Sequence, residues 1–160
     1  MSQEQHTFEP VFDEKSRILI LGTFPSVKSR EQGFYYGHPQ NRFWRVIEKM
    51  TKSSSVTTIE EKKRLLLNNR IAIWDTIKSC DIIGSSDSSI KNVVPADIKW
   101  LLERTSIERI FANGGKAYSL YQKYVFPNTK RAIIKLPSTS PANASYSLNR
   151  LLEEWECILK

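Results

Sequence analysis

The residues best suited to chemistry lie in two neighbouring stretches, Gly22-Thr-Phe-Pro-Ser26 and Phe34-Tyr-Tyr-Gly-His-Pro-Gln-Asn-Arg-Phe-Trp44. The first follows Ile18-Leu19-Ile20-Leu21, an apolar run that reads as a buried strand. Gly22 lets the backbone turn with no Cβ in the way, and Pro25 fixes its own φ while pushing Phe24 towards an extended conformation. A turn of this kind, just past a buried strand, is where an α/β protein places ligand-facing amides. The N–H groups of Thr23 and Phe24 are placed to donate to a carbonyl and to stabilise charge growing on it. The second stretch gathers aromatics, a His-Pro, an amide and an arginine into one connection, more large side chains than a plain structural loop needs. No zinc-ligand cluster and no Ser-His-Asp pattern at recognisable spacing occurs. No metal and no cofactor are therefore expected.

Other candidates lie further along the chain, each with an ordinary structural use beside the functional one. Asp75 closes a second apolar run, and Asp87 sits in a serine-rich loop; an aspartate there could brace a site or form a turn. His38 could act as a general acid near neutrality, or its His-Pro could build the turn that supports Asn41. Asn41 could serve the site or cap the helix that opens at Arg42, and the two uses are compatible. Asn113-Gly-Gly-Lys116 lacks the full phosphate-loop frame, which argues against a nucleotide hydrolase. Its amide could face a ligand, or the glycines could simply open a helix. Pro137, Ser138, Thr139 and Ser140 form a stiff loop of small hydroxyls able to bond phosphates, or a rigid turn. Lys28, Arg30, Arg42 and Arg45 surround the first loops and are candidate phosphate contacts, or a solvated face.

The elements that would position these groups alternate between strand and helix. Strands are expected at Arg17–Leu21, Ile71–Trp74, Ile107–Ala112 and Arg131–Leu136. Helices are expected over Arg42–Met50, from Thr58 through Asn69 behind a Thr58-x-x-Glu61 capping box, from Pro95 through Leu102, over Lys116–Val125, and from Ser145 with Leu148, Leu151, Leu152, Trp155 and Leu159 buried. Asp75 to Val94 reads as the longest irregular segment, and residues 1–16 as a polar lead-in whose Phe8, Val11 and Phe12 pack on the core. This order predicts one domain over residues 1–160, a three-layer α/β/α sandwich around a mostly parallel, twisted, four-stranded sheet. Ligands sit at the carboxyl ends of such strands, so the loops at Gly22, Asp75, Asn113 and Pro137 should share one rim.

With 160 residues the chain is long enough to bury a core without staples. Its net charge of +7 suits a polyanionic partner, though it does not single one out. No apolar run approaches the ~20 residues of a membrane span, and no signal pattern opens the chain, so no membrane partner and a cytoplasmic location are expected. The two cysteines, Cys80 and Cys157, belong to no ligand-spaced cluster. Nothing in the chain calls for an oligomer, and a monomer is expected.

The pattern G-T-F-P-S followed by Y-Y-G-H-P-Q-N-R-F-W resembles the hypoxanthine-DNA glycosylases of the uracil-DNA glycosylase superfamily. H-P-x-N-R-F-W is shared with the mismatch-specific uracil-DNA glycosylases. Trp74-Asp75 with Gly84-Ser-Ser-Asp87, Asn113-Gly-Gly-Lys116 and Leu136-Pro-Ser-Thr-Ser-Pro-Ala-Asn143 narrow the likeness, which runs from about Ile18 to the C-terminus. The resemblance implies a monofunctional DNA glycosylase that hydrolyses the N-glycosidic bond of deaminated bases, hypoxanthine first and uracil or xanthine after it, to begin base-excision repair. A mismatch uracil/thymine glycosylase, or a non-catalytic nucleic-acid module of the same fold, are the alternatives. The implied partner is double-stranded DNA, or single-stranded DNA, carrying deaminated bases.

It further implies that Asn41 is the catalytic asparagine, its carbonyl accepting from and so orienting the attacking water. Tyr36 would stack on the extruded base, and Gly22, Thr23, Phe24 and Asn113 would complete the pocket with His38, Asp75 and Asp87 in support. The loop at Pro137–Ser140 would press on the DNA. Two positions depart from relatives: Phe24 stands where the mismatch enzymes carry an asparagine, and Leu136 where the fast uracil-specific enzymes carry a histidine. The second departure argues against pure uracil excision.

Overall fold

A computed structural model describes residues 2–160. Its central sheet is built from β2 (Ile18–Gly22), β3 (Ile71–Asp75), β6 (Arg109–Asn113) and β7 (Ile133–Leu136), all parallel and in the order β3-β2-β6-β7. Alternation along β2 splits the core into two layers. Ile18 and Ile20 point to one side, where they meet helices α2 (Phe43–Met50), α3 (Ile59–Asn68) and α7 (Leu148–Trp155) through Phe43, Ile47, Leu66, Leu151 and Trp155. Leu19 and Leu21 point to the other, against α4 (Ile98–Leu102) and α5 (Gly115–Leu120) through Ile98, Leu101 and Ala117, and against Tyr121 just after α5. Helix layers on both faces of a parallel sheet are the expected three-layer sandwich. No helix among the described residues is long and apolar enough to cross a membrane.

The structure corrects the expected elements in several places. Asp75–Val94 is not irregular: β4 (Ile77–Ile82) and β5 (Lys91–Pro95) pair antiparallel there, and β1 (Ser2–Gln5) adds to β4, giving a second sheet in the order β1-β4-β5. Register shifts between Ile77 and Asp81 break the alternation of buried residues, which hid the strand from a period-two reading. Part of the polar lead-in is therefore a strand, while Phe8, Val11 and Phe12 do pack on the core. Pro95 ends β5, and the next helix starts at Ile98 behind Asp97, whose side chain accepts from Trp100 N–H. A short helix α1 (Val27–Gln32), capped by Ser26, follows the first motif unannounced. After α5 a π turn (Tyr121–Val125) carries the chain into α6 (Phe126–Thr129). The final turn, Glu156–Leu159, is a 3₁₀ helix, whose three-residue period buries Ile158 and leaves Leu159 exposed, against expectation.

The capping box of α3 forms as read: Thr58 Oγ1 accepts from Glu61 N–H and Glu61 Oε1 accepts from Thr58 N–H. The Thr58 and Thr57 amides and hydroxyls that bond the Glu61 carboxylate pull its pKa down to about 2. A carboxylate lowered in the folded state contributes stability above its ordinary range, and that contribution fades as pH falls towards the folded value. Thr58→Ala is expected to cost about 1 kcal/mol in urea unfolding at neutral pH. Glu61→Gln is expected to flatten the loss of stability between the ordinary carboxylate range and pH about 2.

Candidate active site

Parallel register sets the floor of the site. Gly22 lies opposite Asp75 across β2 and β3, and Asn113 opposite Leu136 across β6 and β7, so four loops leave the same edge of the sheet. Between them is a cavity of about 550 Å³, in the range of a pocket for a small organic group. Gly22, Thr23, Phe24, Tyr36, His38 and Asn41 line it, together with Asp75, Asp87 and Asn113. Ser138, Thr139 and Ser140 close one wall. The structure thus brings together every residue read as pocket or support.

Asn41 opens onto this cavity and is half-buried. Its carbonyl oxygen already accepts two bonds, from Phe43 N–H at 2.9 Å and from the Thr139 hydroxyl at 2.8 Å. The first is a turn bond made one residue before Arg42, the N-cap of α2, so Asn41 fixes the entry to the helix without being its cap. Both lone pairs are engaged, so an attacking water has no open acceptor on this oxygen. The side-chain NH₂ is the half left for a ligand. Thr139 is buried, with no exposed surface, and its expected place at a phosphate is taken by work inside the site. Its hydroxyl accepts from Asn113 Nδ2 at 3.0 Å, and its own N–H donates to Asn113 Oδ1 at 3.0 Å. One N–H of the Asn113 amide remains for the cavity.

Tyr36 is held with φ 53°, a left-handed conformation that costs of order 1 kcal/mol outside glycine. The strain places its ring flat on Phe43, with centroids 4.1 Å apart. Its hydroxyl is buried with no hydrogen-bond partner among the described residues. Burial, then the negative charge of Asp75, push the phenol well above its ordinary pKa; the Asn113 amide nearby opposes this weakly. A Cβ on Gly22 would run into Asp75 Oδ1 and lie 3.0 Å from the Tyr36 hydroxyl, so only glycine permits this close approach. Phe34 and Tyr35 pack in the core.

Asp75 is 4% exposed, and its Oδ2 accepts from His6 Nε2 at 2.9 Å. His6 was not among the sequence candidates: a lone histidine in a polar lead-in has no spacing that marks it. His38 turns back on its own loop, Nδ1 accepting from Gln40 N–H, while its carbonyl accepts from Asn41 N–H. Asp87 accepts from the Thr23 hydroxyl at 3.1 Å. Burial of its carboxyl raises its pKa, with Asp75 adding to the rise and the Thr23 bond and Lys116 opposing it. The residue as a whole is open to solvent, so the shift counts for little in stability.

The basic candidates divide. Arg42 donates to the carbonyls of Tyr146, Ser140 and Asn143, bracing the loop after β7. Arg30 donates to the carbonyls of Pro25 and Gly84, pairs with Glu4 at 3.4 Å and lies over the Phe24 ring. These guanidiniums hold the walls. Lys28, paired loosely with Glu31 at 3.8 Å, and Arg45 are exposed beside them. Pro137 lies outside the cavity, where its carbonyl accepts from Trp155 Nε1.

A parallel sheet sandwiched by helices thus carries, at its carboxyl edge, one cavity lined by an aromatic ring and convergent amides. Comparison with known proteins identifies the family. Residues 9–159 match the family model described as the uracil DNA glycosylase superfamily, and the chain belongs to that superfamily. It is 34% identical over 154 residues, 96% of each chain, to a hypoxanthine DNA glycosylase of Methanosarcina acetivorans. It is 39% identical over 87 residues to one of Methanosarcina barkeri, covering 53% of this chain and 54% of that one. The solution NMR structure of a Methanosarcina acetivorans protein, described as a candidate uracil DNA glycosylase, superposes with TM-score 0.81 at 36% identity, covering 95% of this chain and 94% of that one.

The orphaned hydroxyl makes a stability prediction. Tyr36→Phe deletes a buried donor that nothing satisfies while keeping the stack on Phe43, so it is expected to raise stability by about 1 kcal/mol. Urea unfolding of the two proteins checks this.

Proposed function

We propose that this protein removes deaminated bases from DNA by hydrolysing the N-glycosidic bond, with hypoxanthine as the preferred base and uracil and xanthine as secondary ones. The observation that carries the reading is the pair formed by the Tyr36 ring, backed by Phe43, and the free Asn41 NH₂, both lining one cavity large enough for a base turned out of the helix. The nearly full-length likeness to a hypoxanthine DNA glycosylase supports the choice of base.

In this reading the extruded base lies against the aromatic platform, where stacking is worth roughly 1–3 kcal/mol for any base. Bond breaking leaves positive charge on the sugar and negative charge on the departing ring. Asn41 is placed to donate from Nδ2 to that ring, because its oxygen is bound to Phe43 N–H and Thr139. Its role is then stabilisation of the leaving base rather than acceptance from water. The Thr23 and Phe24 amides and the remaining Asn113 N–H offer further donors around the same ring. Asp87, at the mouth with one oxygen on Thr23, is an acceptor available to a water on the sugar side. Lys28 and Arg45 contribute phosphate attraction that weakens with salt. Double-stranded DNA bound by a single copy of the chain is the substrate form this arrangement suits.

Two substitutions separate the halves of the Asn41 amide. Asn41→Asp keeps an acceptor for Phe43 N–H and Thr139 but removes the NH₂. It is expected to retain most of the stability while lowering excision by about 100-fold or more. Asn41→Ala is expected to lose excision and about 1 kcal/mol of stability together. Alkali-dependent cleavage of end-labelled duplexes containing inosine, uracil, xanthine or only normal bases supplies the readout. Full activity in Asn41→Asp would exclude the donor role, and no abasic sites with any duplex would exclude the glycosylase.

A further inference from the structure

We infer that His6 is a positioning residue for base selection: it locks the Asp75 carboxylate so that Oδ1 stands as a fixed acceptor for the ring N–H that deamination of adenine or cytosine creates. The inference deepens the proposed glycosylase reading and rests on it for the identity of the ligand.

The His6 ring has little freedom. Its backbone N–H donates to Lys78 O at 2.8 Å, directly after β1 leaves the second sheet. Phe8 lies 4.6 Å from the ring, Tyr35 5.7 Å, and Phe24 meets it edge-on at 6.2 Å. Its side chain is 4% exposed and that of Asp75 5% exposed. Since a carboxylate only accepts, the bond runs from His6 Nε2–H to Asp75 Oδ2. A terminal carboxylate torsion is otherwise broad and nearly two-fold, and this bond removes that freedom.

The other oxygen is left open. Among the described residues nothing hydrogen-bonds Asp75 Oδ1, and Asp75 lines the cavity. Gly22, its register partner, presents no Cβ, and any Cβ there would occupy the space in front of Oδ1. The bare glycine and the histidine clamp thus act on one atom from two sides, one clearing its approach and the other fixing its direction.

Deamination changes one edge of a base in a way this atom can read. In adenine and cytosine, the ring nitrogen beside the exocyclic amine is an acceptor. In hypoxanthine and uracil, their deamination products, the neighbouring group is a carbonyl, and that nitrogen carries a hydrogen, as it does in guanine and thymine. An acceptor-only carboxylate pairs with the N–H and opposes the lone pair of undamaged adenine or cytosine. The bond is charge-assisted, roughly twice as strong as a neutral one. A site built to bond a substrate N–H can reject analogues that lack it by about 10⁴-fold or more.

The test uses the full-length protein, free hypoxanthine and free adenine as binding probes, and an inosine-containing duplex as substrate. His6→Leu is expected to weaken hypoxanthine binding by about tenfold and to raise KM on the inosine duplex with little change in kcat. His6→Gln, which can still donate to Oδ2, is expected to recover most of that affinity. Asp75→Asn is expected to abolish the preference for hypoxanthine over adenine. Wild-type base affinity and KM in a folded His6→Leu protein would overturn the inference. So would an undiminished preference in Asp75→Asn, which also decides the matter if circular dichroism shows His6→Leu unfolded. The two readings fail separately. Wild-type protein that excises inosine, with His6→Leu indistinguishable from it, removes only the role of His6. Wild-type protein that cleaves no duplex, yet binds hypoxanthine in a His6-dependent way, removes only the glycosylase and leaves the recognition pair standing.

Discussion

One hydroxyl organises the site. Thr139 Oγ1 has a single proton and is sealed from solvent, and it gives that proton to Asn41 Oδ1 while accepting from Asn113 Nδ2. The Thr139 backbone is also fixed, its N–H on Asn113 Oδ1 and its carbonyl accepting from Arg42 N–H at 3.1 Å. The end of β6, the loop after β7 and the start of α2 are thereby joined through Thr139, which has no exposed surface and no water to fall back on. In such a network each unmade bond carries the full cost of a buried unsatisfied group, so the members order one another. The orientation of both amides follows. With their oxygens committed inside the network, the cavity receives N–H groups.

The cavity consequently has two chemically different ends. At the sheet edge the parallel pairing of Gly22 with Asp75 places a carboxylate deep among His6, Tyr35 and Tyr36. Towards the loops, amides from Asn41, Asn113 and the Thr23–Phe24 turn supply donors. Under the proposed function, a base lying on Tyr36 would meet an acceptor at one edge and donors at the other. That polarity suits a base whose outer edge must be recognised and whose sugar side must bear negative charge.

The net charge of +7 is distributed unevenly in its effect. Arg30 and Arg42 are largely engaged in tying loops together, through carbonyls of Pro25 and Gly84 in one case and of Ser140, Asn143 and Tyr146 in the other. A planar guanidinium serves several carbonyls at once, which a lysine ammonium does with less geometric control. Of the four candidates, only Lys28, loosely paired with Glu31, and Arg45 are exposed to solvent. Composition announces the charge but not this division, because counting cannot tell a brace from a contact.

The central architecture was legible in the sequence because its signals are local. Apolar runs such as Ile18–Leu21 and Ile71–Trp74 mark buried parallel strands, Thr58 and Glu61 mark a helix start, and strand–helix alternation fixes which ends of the strands carry the loops. That the loops at Gly22, Asp75, Asn113 and Pro137 share one rim follows from that order alone, and of these residues only Pro137 stays outside the cavity. Three things did not follow. The β4–β5 pairing was hidden because its bulged register breaks alternation. The filled oxygen of Asn41 was hidden because its donor, Thr139, is 98 residues away. His6 was hidden because its partner Asp75 is 69 residues away and the second sheet alone brings them together. Residue types and local periodicity determine what each segment can become and which groups are available; which hydrogen bond each group spends, and therefore which atom it still offers a ligand, is decided only when distant segments compete for it in three dimensions.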